Sequence, residues 1–208
     1  MPVVNNYTEL PDWSEVKFYE IISLNTNSIF DIQKNSNNEV LFAVSGTCII
    51  VSNFENKYLK AGDYHEFNKG INNYSIKTGD EYCSIVRIAG NWSGECGTKG
   101  VFVIENSAMP KNIGDAADYD KTRKTDFDNH FHDCDEYWII VQGSAQIATE
   151  GKIFEIESGY CVATKAGKHH DFIDIYETVH GVYFETSLKG LKREGHLWNH
   201  THSKGAIS

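Results

Sequence analysis

Short runs of apolar residues, separated by glycines and polar residues, recur along most of the chain. The runs are four to eight residues long and rich in β-branched and aromatic residues, which is typical of strands rather than helices. Many short strands at this spacing predict a sandwich or barrel rather than parallel α/β units. The predicted strands are Val40–Val44, Thr47–Ser52, Glu81–Ile88, Val101–Glu105, Glu136–Val141, Ser144–Thr149, Lys152–Ile156, Cys161–Thr164 and Val179–Glu185.

Helical patterns are scarce. The segment Pro11–Ile22 could hold one short helix, and Lys189–Trp198 could hold a single turn. Between the predicted strands, Met109–Thr125 is polar and mixed in charge, which is typical of a connector. The fold class is therefore predicted to be all-β with little helix.

The chain also repeats itself at an offset of 97 residues, because 30–88 can be laid on 127–185 without a gap. Glycines that recur at fixed places in a strand pattern mark turns or points of close backbone approach. The repeat predicts two similar β units, at 1–108 and 109–208. The matched pairs include Glu39 with Glu136, Gly46 with Gly143, Gly62 with Gly159, and Gly70 with Gly167.

Charge and composition narrow the function classes. The formal net charge is −10, from 29 acidic against 19 basic residues, which argues against a nucleic-acid partner. The apolar runs are too short to span a bilayer, and the N-terminus lacks a secretory pattern. Five cysteines without tight pairing predict free thiols, so we expect a cytoplasmic protein. The expected partner is a small-molecule substrate, and a homodimer stays an open alternative.

Candidate chemistry is concentrated in the second unit. His130 and His132 would project from one face of a strand, and Glu136 keeps the same parity. His170, on a neighbouring strand, would complete a set of three imidazoles and one carboxylate. Such a set suits Mn, Fe, Co, Ni, Cu or Zn, and on an octahedral ion it would leave two positions open. The alternative is that these are ordinary core or surface histidines.

These residues resemble the two motifs of the cupin superfamily, G-x5-H-x-H-x3,4-E-x6-G and G-x5-P-x-G-x2-H-x3-N. The first motif is met from its histidines through Glu136 and Gly143, and the second by Gly159, Gly167 and His170. Lys124, Lys165 and Asp174 stand where the family has Gly, Pro and Asn, which affects turns and not ligands. The resemblance implies two tandem cupin barrels (double-stranded β-helix or jelly roll), with Glu136 as a metal ligand that could also act as a catalytic base.

The first repeat lacks the imidazoles. At the offset of 97, His130, His132 and His170 correspond to Gln33, Asn35 and Asn73, while Glu136 corresponds to Glu39. Neutral amides are poor ligands for transition metals, so one metal per chain is predicted, in the second barrel. The first barrel is expected to be structural, with a polar pocket for a sugar or metabolite as the alternative.

A substrate pocket is predicted beside the metal. Trp138 and Ile140 share the parity of Glu136, Phe172 follows His170, and Tyr183 lies on the last strand, although plain core packing explains them equally well. Glu185 is an alternative to Tyr183 for orienting a substrate.

Several other residues have side chains that could take part in binding. His169 competes with His170 but is expected to lie outside the ligand set, and Cys134 is interpreted as a turn residue. Histidines near the C-terminus could form a second site, and a basic cluster could attract an anion, although exposed, solvated side chains explain both. These two groups are His200 and His202, and Lys121, Arg123 and Lys124.

The resemblance implies dioxygenases, decarboxylases, sugar isomerases and lyases that act on small oxygen-rich molecules, and fold alone does not choose among them. The favoured hypothesis is a metal-dependent non-haem oxygenase acting on a small organic acid, phenol or enediol. The alternatives are a metal-dependent sugar isomerase, epimerase or lyase, and a non-catalytic metabolite- or sugar-binding protein.

Overall fold

The computed structural model describes residues 2–5, 9–34, 36–67, 71–93, 96–107, 124–125, 127 and 129–187. Within these ranges the chain is all-β, as predicted, and contains no helix. None of the described elements is a helix long and apolar enough to cross a membrane. The strands are β1 Val3–Val4, β2 Val16–Leu24, β3 Ile29–Gln33, β4 Asn38–Ser45, β5 Thr47–Ser52, β6 Asn56–Lys60, β7 Tyr64–Glu66, β8 Asn73–Thr78, β9 Cys83–Gly90, β10 Lys99–Ile104, β11 Glu136–Thr149, β12 Lys152–Glu157, β13 Cys161–Thr164 and β14 His170–Glu185.

One expected element is wrong. The segment Pro11–Ile22 turns at residues 12–13 and then enters β2 instead of forming a helix. Strand β2 pairs with β9 from Val16 to Leu24, and it buries Val16, Ile22 and Leu24. Cross-strand pairing and burial therefore override the weak helical pattern of this segment.

The chain forms two compact units, Glu15–Trp92 and a second one made of Met1–Ser14 with Ser93–Ser208. The sequence repeat suggested a division at residue 108 instead. Strand β10 accounts for the difference, because it pairs with β14 over six positions, from Lys99–Phe184 to Ile104–Val179. Strand β1 likewise pairs with β13, so both chain segments complete the sheet of the second unit.

The first unit contains two four-stranded sheets, with strand orders β2-β9-β4-β7 and β3-β8-β5-β6. Its core is formed by apolar side chains that face inward from both sheets, among them Leu41, Ile50, Ile76 and Ile85. All of the pairs between these strands are antiparallel. This is the arrangement of a jelly-roll sandwich.

The second unit is organised around two long strands. Its sheet has the order β1-β13-β11-β14-β10, with β12 also paired to β11. Strand β11 covers 14 residues and contains Gly143, whose φ is +88°. A Cβ at this position would lie 2.1 Å from the Thr178 carbonyl oxygen, so only glycine fits the bend. Register shifts between Ile140 and Ala145 accompany that bend.

The bend brings the two ends of β11 together. Thr149, at one end, lies with its hydroxyl 3.1 Å from the hydroxyl of Thr164. Thr164 is the register partner of Glu136, which begins the same strand. A straight strand of 14 residues would be roughly 45 Å long, so β11 must curl round the core of its unit.

The internal repeat is present in the strand pairing. The pairs Val40–Glu66, Leu41–His65 and Phe42–Tyr64 of the first unit recur 97 residues later as Tyr137–Ala163, Trp138–Val162 and Ile139–Cys161. The glycines also keep their conformation, with φ of +69° and +88° at Gly46 and Gly143, and +93° and +92° at Gly62 and Gly159. The two units therefore share strand pairs and glycine turns at the offset of 97 residues. The described residues contain more strands than the sequence predicted.

Candidate metal centre and its cavity

The four predicted ligands lie together in the second unit. His130, His132, Glu136 and His170 are all buried, and one nitrogen or oxygen atom from each lies within 4.8 Å of all the others. The Nε2 atoms of His130 and His132 are 3.1 Å apart. Oε2 of Glu136 lies 2.9 Å from Nε2 of His132 and 2.7 Å from Nε2 of His170.

Backbone contacts place these side chains. His130 and His170 form an isolated antiparallel bridge, with N–H···O distances of 3.3 and 3.0 Å in the two directions. Gly167, at φ +78°, donates its N–H to the carbonyl oxygen of His132 at 2.8 Å. Asp135 fastens the same loop, since its Oδ1 accepts the N–H of Ala166 at 2.8 Å. The segment 130–136 is thus held on residues 166–170.

The carboxylate of Glu136 is ionised at neutral pH. Burial by itself raises the pKa of Glu136, but the neighbouring His170 and His132 rings outweigh this effect and hold that pKa well below its ordinary range. Its other oxygen, Oε1, accepts a hydrogen bond from Nε1 of Trp138 at 2.8 Å. Glu136 therefore presents an oriented, negatively charged oxygen to the three imidazoles.

This donor set fits a divalent transition metal, because it combines imidazole nitrogens with one carboxylate oxygen. Oε2 of Glu136 and Nε2 of His170 are buried, and neither has a well-oriented hydrogen-bond partner among the described residues, although the two atoms are 2.7 Å apart. Buried imidazole nitrogens and a carboxylate oxygen that lie this close together are arranged as the ligands of one ion would be. The cluster can hold a metal with His130, His132, Glu136 and His170.

A cavity of about 210 Å³ opens beside the cluster. Trp138, Phe172 and Tyr183, predicted for a substrate pocket, line it. Ile140 does not: it is fully buried in the apolar core, on the strand that bends at Gly143. The full lining is Thr98, Phe102, Ile104, Phe127, His130, His132, Glu136, Trp138, Phe172, Tyr183 and Glu185.

Four lining residues were not predicted from the sequence, namely Phe127, Thr98, Phe102 and Ile104. The last three lie in or next to β10, which the repeat had assigned to the first unit. The pairing of β10 with β14 is a long-range relationship that the pattern of residues 97–105 does not encode. Glu185, predicted only as an alternative to Tyr183 for orienting a substrate, is a buried residue of the cavity wall at 1 % exposure.

The residues beside the ligands lie as follows. His169 stays outside the cluster, with its Nδ1 3.2 Å from Oδ1 of Asn129. Cys134 lies in a bend and is buried, with its Sγ 3.6 Å from Glu185. Lys124 forms an ion pair with Asp174. The other basic candidates Lys121 and Arg123, the histidines His200 and His202, and the segment Lys189–Trp198 lie outside the described residues.

In the first unit, Glu39 corresponds to Glu136 but has different partners. Glu39 is 1 % exposed, and it accepts a hydrogen bond from Nη2 of Arg87 at 2.9 Å and another from the hydroxyl of Tyr74. Gln33 and Asn73 are register partners on β3 and β8, and they line an outward-facing groove of about 420 Å³. Asn35 lies outside the described residues. Glu39 is therefore already paired with Arg87, and it does not line the groove that contains Gln33 and Asn73.

Comparison with known proteins gives the family. The chain is 34 % identical over 207 residues to the uncharacterized protein y4oW of Sinorhizobium fredii, covering 100 % of this chain and 94 % of that protein. This chain belongs to the y4oW family. No family model matches the sequence.

Solved structures show the fold of this y4oW family member. Oxalate decarboxylase from Bacillus subtilis, described with Mn(II) centres, matches with a TM-score of 0.62 and 11 % identity over 91 % of this chain and 73 % of that chain. Vicilin from hazelnut matches at 0.60 and 12 %, over 92 % and 81 %. YlbA from E. coli matches at 0.55 and 9 %, over 91 % and 92 %. The y4oW family member thus has the cupin fold, as the sequence motifs predicted.

Proposed function

We propose that this chain is a metal-dependent cupin enzyme with two tandem barrels, whose metal centre is kept only in the second barrel. The observation that carries the proposal is the convergence of His130, His132, Glu136 and His170 beside a cavity large enough for a small molecule. The ion-paired Glu39 of the first barrel supports a single ion per chain, because a guanidinium already fills the equivalent position.

The reaction we favour is a non-haem oxygenase reaction on a small oxygen-rich molecule. A bound iron or manganese ion would supply oxygen activation at open coordination positions. The chain's own residues would hold the ion, exclude water with an aromatic wall that includes Phe127 and Phe172, and fix Glu136 through Trp138. Each of these contributions can be tested separately by substitution.

The cavity favours a particular kind of substrate. Aromatic rings dominate its wall, and two of its polar groups, Glu136 and Glu185, are carboxylic acids. Neighbouring carboxylates repel an anion, whereas an apolar wall accepts a ring or a short hydrocarbon. A phenol of the catechol type or an enediol, with an apolar body and vicinal oxygen atoms for the metal, therefore fits better than a small dicarboxylate.

The first experiment is elemental analysis of protein purified without added metal. We expect about one transition-metal ion per chain, lost in His132→Ala and retained in His65→Ala, a matched histidine in the other unit. Full metal occupancy in His132→Ala, or no metal in the wild type, would contradict the proposed metal site.

The second experiment separates the reaction classes. Protein loaded anaerobically with iron or manganese is mixed with catechol as the first probe, and dissolved oxygen is followed with an electrode. Oxygen consumption that requires His132 supports the oxygenase. Isomerisation of sugar phosphates without oxygen, or a ligand that is bound and recovered unchanged, contradicts it and favours an isomerase or a binding protein.

A further inference from the structure

A second buried carboxylate, that of Glu185, lies close to the proposed metal ligands. Glu185 ends β14, is 1 % exposed, and is the register partner of Glu136 on β11. Its Oε1 lies 3.8 Å from Nδ1 of His132. We propose that Glu185 is a positioning residue that fixes the ring and the tautomer of His132, an inference that rests on the proposed metal centre.

The ring of His132 is oriented so that its two nitrogens face different groups. Nε2 faces the cluster, at 2.9 Å from Glu136 and 3.1 Å from His130. Nδ1 faces Glu185. A metal-binding imidazole keeps its remaining proton on the nitrogen that does not bind the metal, and a carboxylate beside that nitrogen favours this tautomer. At 3.8 Å the contact is electrostatic and longer than a hydrogen bond.

His170 is oriented by a different group, which gives an internal comparison. Its Nδ1 lies 3.3 Å from the backbone carbonyl oxygen of Lys168. A carbonyl is neutral and cannot be removed by substitution, whereas the carboxylate beside His132 is a charged side chain. Among these two ligands, His132 is therefore the one whose orientation a single substitution at Glu185 can change.

Glu185 is itself held in place by the segment before β10. The N–H of Thr98 donates to Oε2 at 2.8 Å, and the Thr98 hydroxyl donates to Oε1 at 3.0 Å. The Cys134 thiol approaches Oε2 at 3.6 Å. Because both oxygens are held, the carboxylate cannot swing freely into the cavity, and this favours a role through His132 over direct attack on a substrate.

Gly97 supplies the space that this arrangement needs. A Cβ built there would lie 2.1 Å from Oε2 of Glu185 and 2.7 Å from its Cβ. Alanine at this position would push the Glu185 side chain away without removing its charge. Gly97→Ala is therefore an independent way to displace the carboxylate.

The experiment compares Glu185→Gln and Gly97→Ala with the wild type, using Zn²⁺ as the probe in a chelator competition. The matched control is Glu155→Gln, an acid on β12 of the same unit that contacts Gln146 and Tyr176. Orienting groups of metal ligands are typically worth about 10–100-fold in affinity, so we expect a Zn²⁺ affinity lower by that factor in both variants and unchanged in the control.

The tautomer of His132 is read in parallel by ¹⁵N NMR of histidine-labelled, metal-free protein. We expect a larger fraction of Nδ1-protonated His132 in the wild type than in Glu185→Gln, because Glu185 favours the proton on Nδ1 while Oε2 of Glu136 attracts it to Nε2. A merely structural role of Glu185 would not produce this difference. Wild-type Zn²⁺ affinity in both variants, or an unchanged tautomer in Glu185→Gln, overturns the inference. If the wild type binds no metal, the proposed function fails, and the tautomer measurement still decides the role of Glu185.

Discussion

Glu39 and Glu136 stand 97 positions apart, and each is buried where two strands of its own unit meet, but their partners carry different chemistry. Glu39 accepts a hydrogen bond from the guanidinium of Arg87, whereas Glu136 faces the rings of His132 and His170. The buried carboxylate thus pairs with an arginine side chain in one unit and belongs to a candidate metal centre in the other.

Replacing Arg87 should destabilise the first unit. Arg87→Met leaves Glu39 buried without its cation, and breaking a buried ion pair costs about 3–5 kcal/mol of unfolding free energy. Urea denaturation followed by circular dichroism measures this loss, with Lys57→Met, at an exposed residue of β6, as the control.

The double variant Glu39→Leu with Arg87→Met checks the cause. It removes both charges, so most of the lost stability should return. Metal content should stay at the wild-type value in both variants. If Arg87→Met is as stable as the wild type, the burial of Glu39 does not require its ion pair with Arg87.

Trp138 should tune the metal centre without holding the metal. Trp138→Phe removes the hydrogen bond to Oε1 of Glu136 and keeps an aromatic ring against Phe172, on which Trp138 stacks at 4.6 Å. We expect a metal affinity about 10-fold lower, measured by chelator competition. Phe172→Leu alters the packing but not the hydrogen bond, and an equal loss of affinity in that variant would contradict this explanation.

Two glycines of the first unit, both at positive φ, should respond differently to alanine. Gly62, at φ +93°, has no atom within 4 Å of an added Cβ, so Gly62→Ala should cost about 1–2 kcal/mol from the backbone alone. At Gly46 the added Cβ would lie 2.0 Å from the Tyr82 carbonyl oxygen, which raises the cost to about 3 kcal/mol or more. Denaturant midpoints measure both, and equal losses would show that the close approach does not matter.

Substitutions at Ile140 and Tyr183 should affect different properties, stability in the first case and activity or ligand binding in the second. Ile140 is fully buried in the core, so Ile140→Ala should cost about 2–5 kcal/mol of unfolding free energy. Tyr183 lines the cavity, so Tyr183→Phe should cost about 1 kcal/mol or less while changing turnover or ligand affinity. Thermal denaturation and the catechol assay measure the two effects. A stable Ile140→Ala variant with altered turnover would reverse the assignment.

The sequence predicted the local features of this molecule better than the distant ones. Strands β5 and β13 have the predicted bounds, because residue alternation and glycine turns are encoded locally. The three histidines also converge with Glu136, as the motif resemblance implied, but the strand predicted through 130–136 was wrong, since residues 131–135 lie outside any strand. The segment that contains strand β2 was predicted as a helix, because the pairing of β2 with β9 joins residues 59 to 74 positions apart, from Leu24–Cys83 to Val16–Gly90.

The same limit explains what was missed at the site. Thr98 reaches Glu185 only because β10 pairs with β14, and no pattern near residue 98 indicates that pairing. Ile140 keeps the parity of Glu136 and packs in the same apolar cluster as Trp138, but it does not line the cavity. Side-chain parity indicates the face of a strand on which a residue lies, but not whether that residue reaches the cavity.

The closed path of β11 also has a consequence for the order of folding. Thr149 reaches Thr164, the register partner of Glu136, only after the strand has curled round, and the candidate ligands come from positions as far apart as 130 and 170. Contacts of this sequence separation form late, because long loops must close first. In a refolding reaction, metal uptake should therefore trail the recovery of β structure, which makes the ion a reporter of completed folding in this unit and not a nucleus for it.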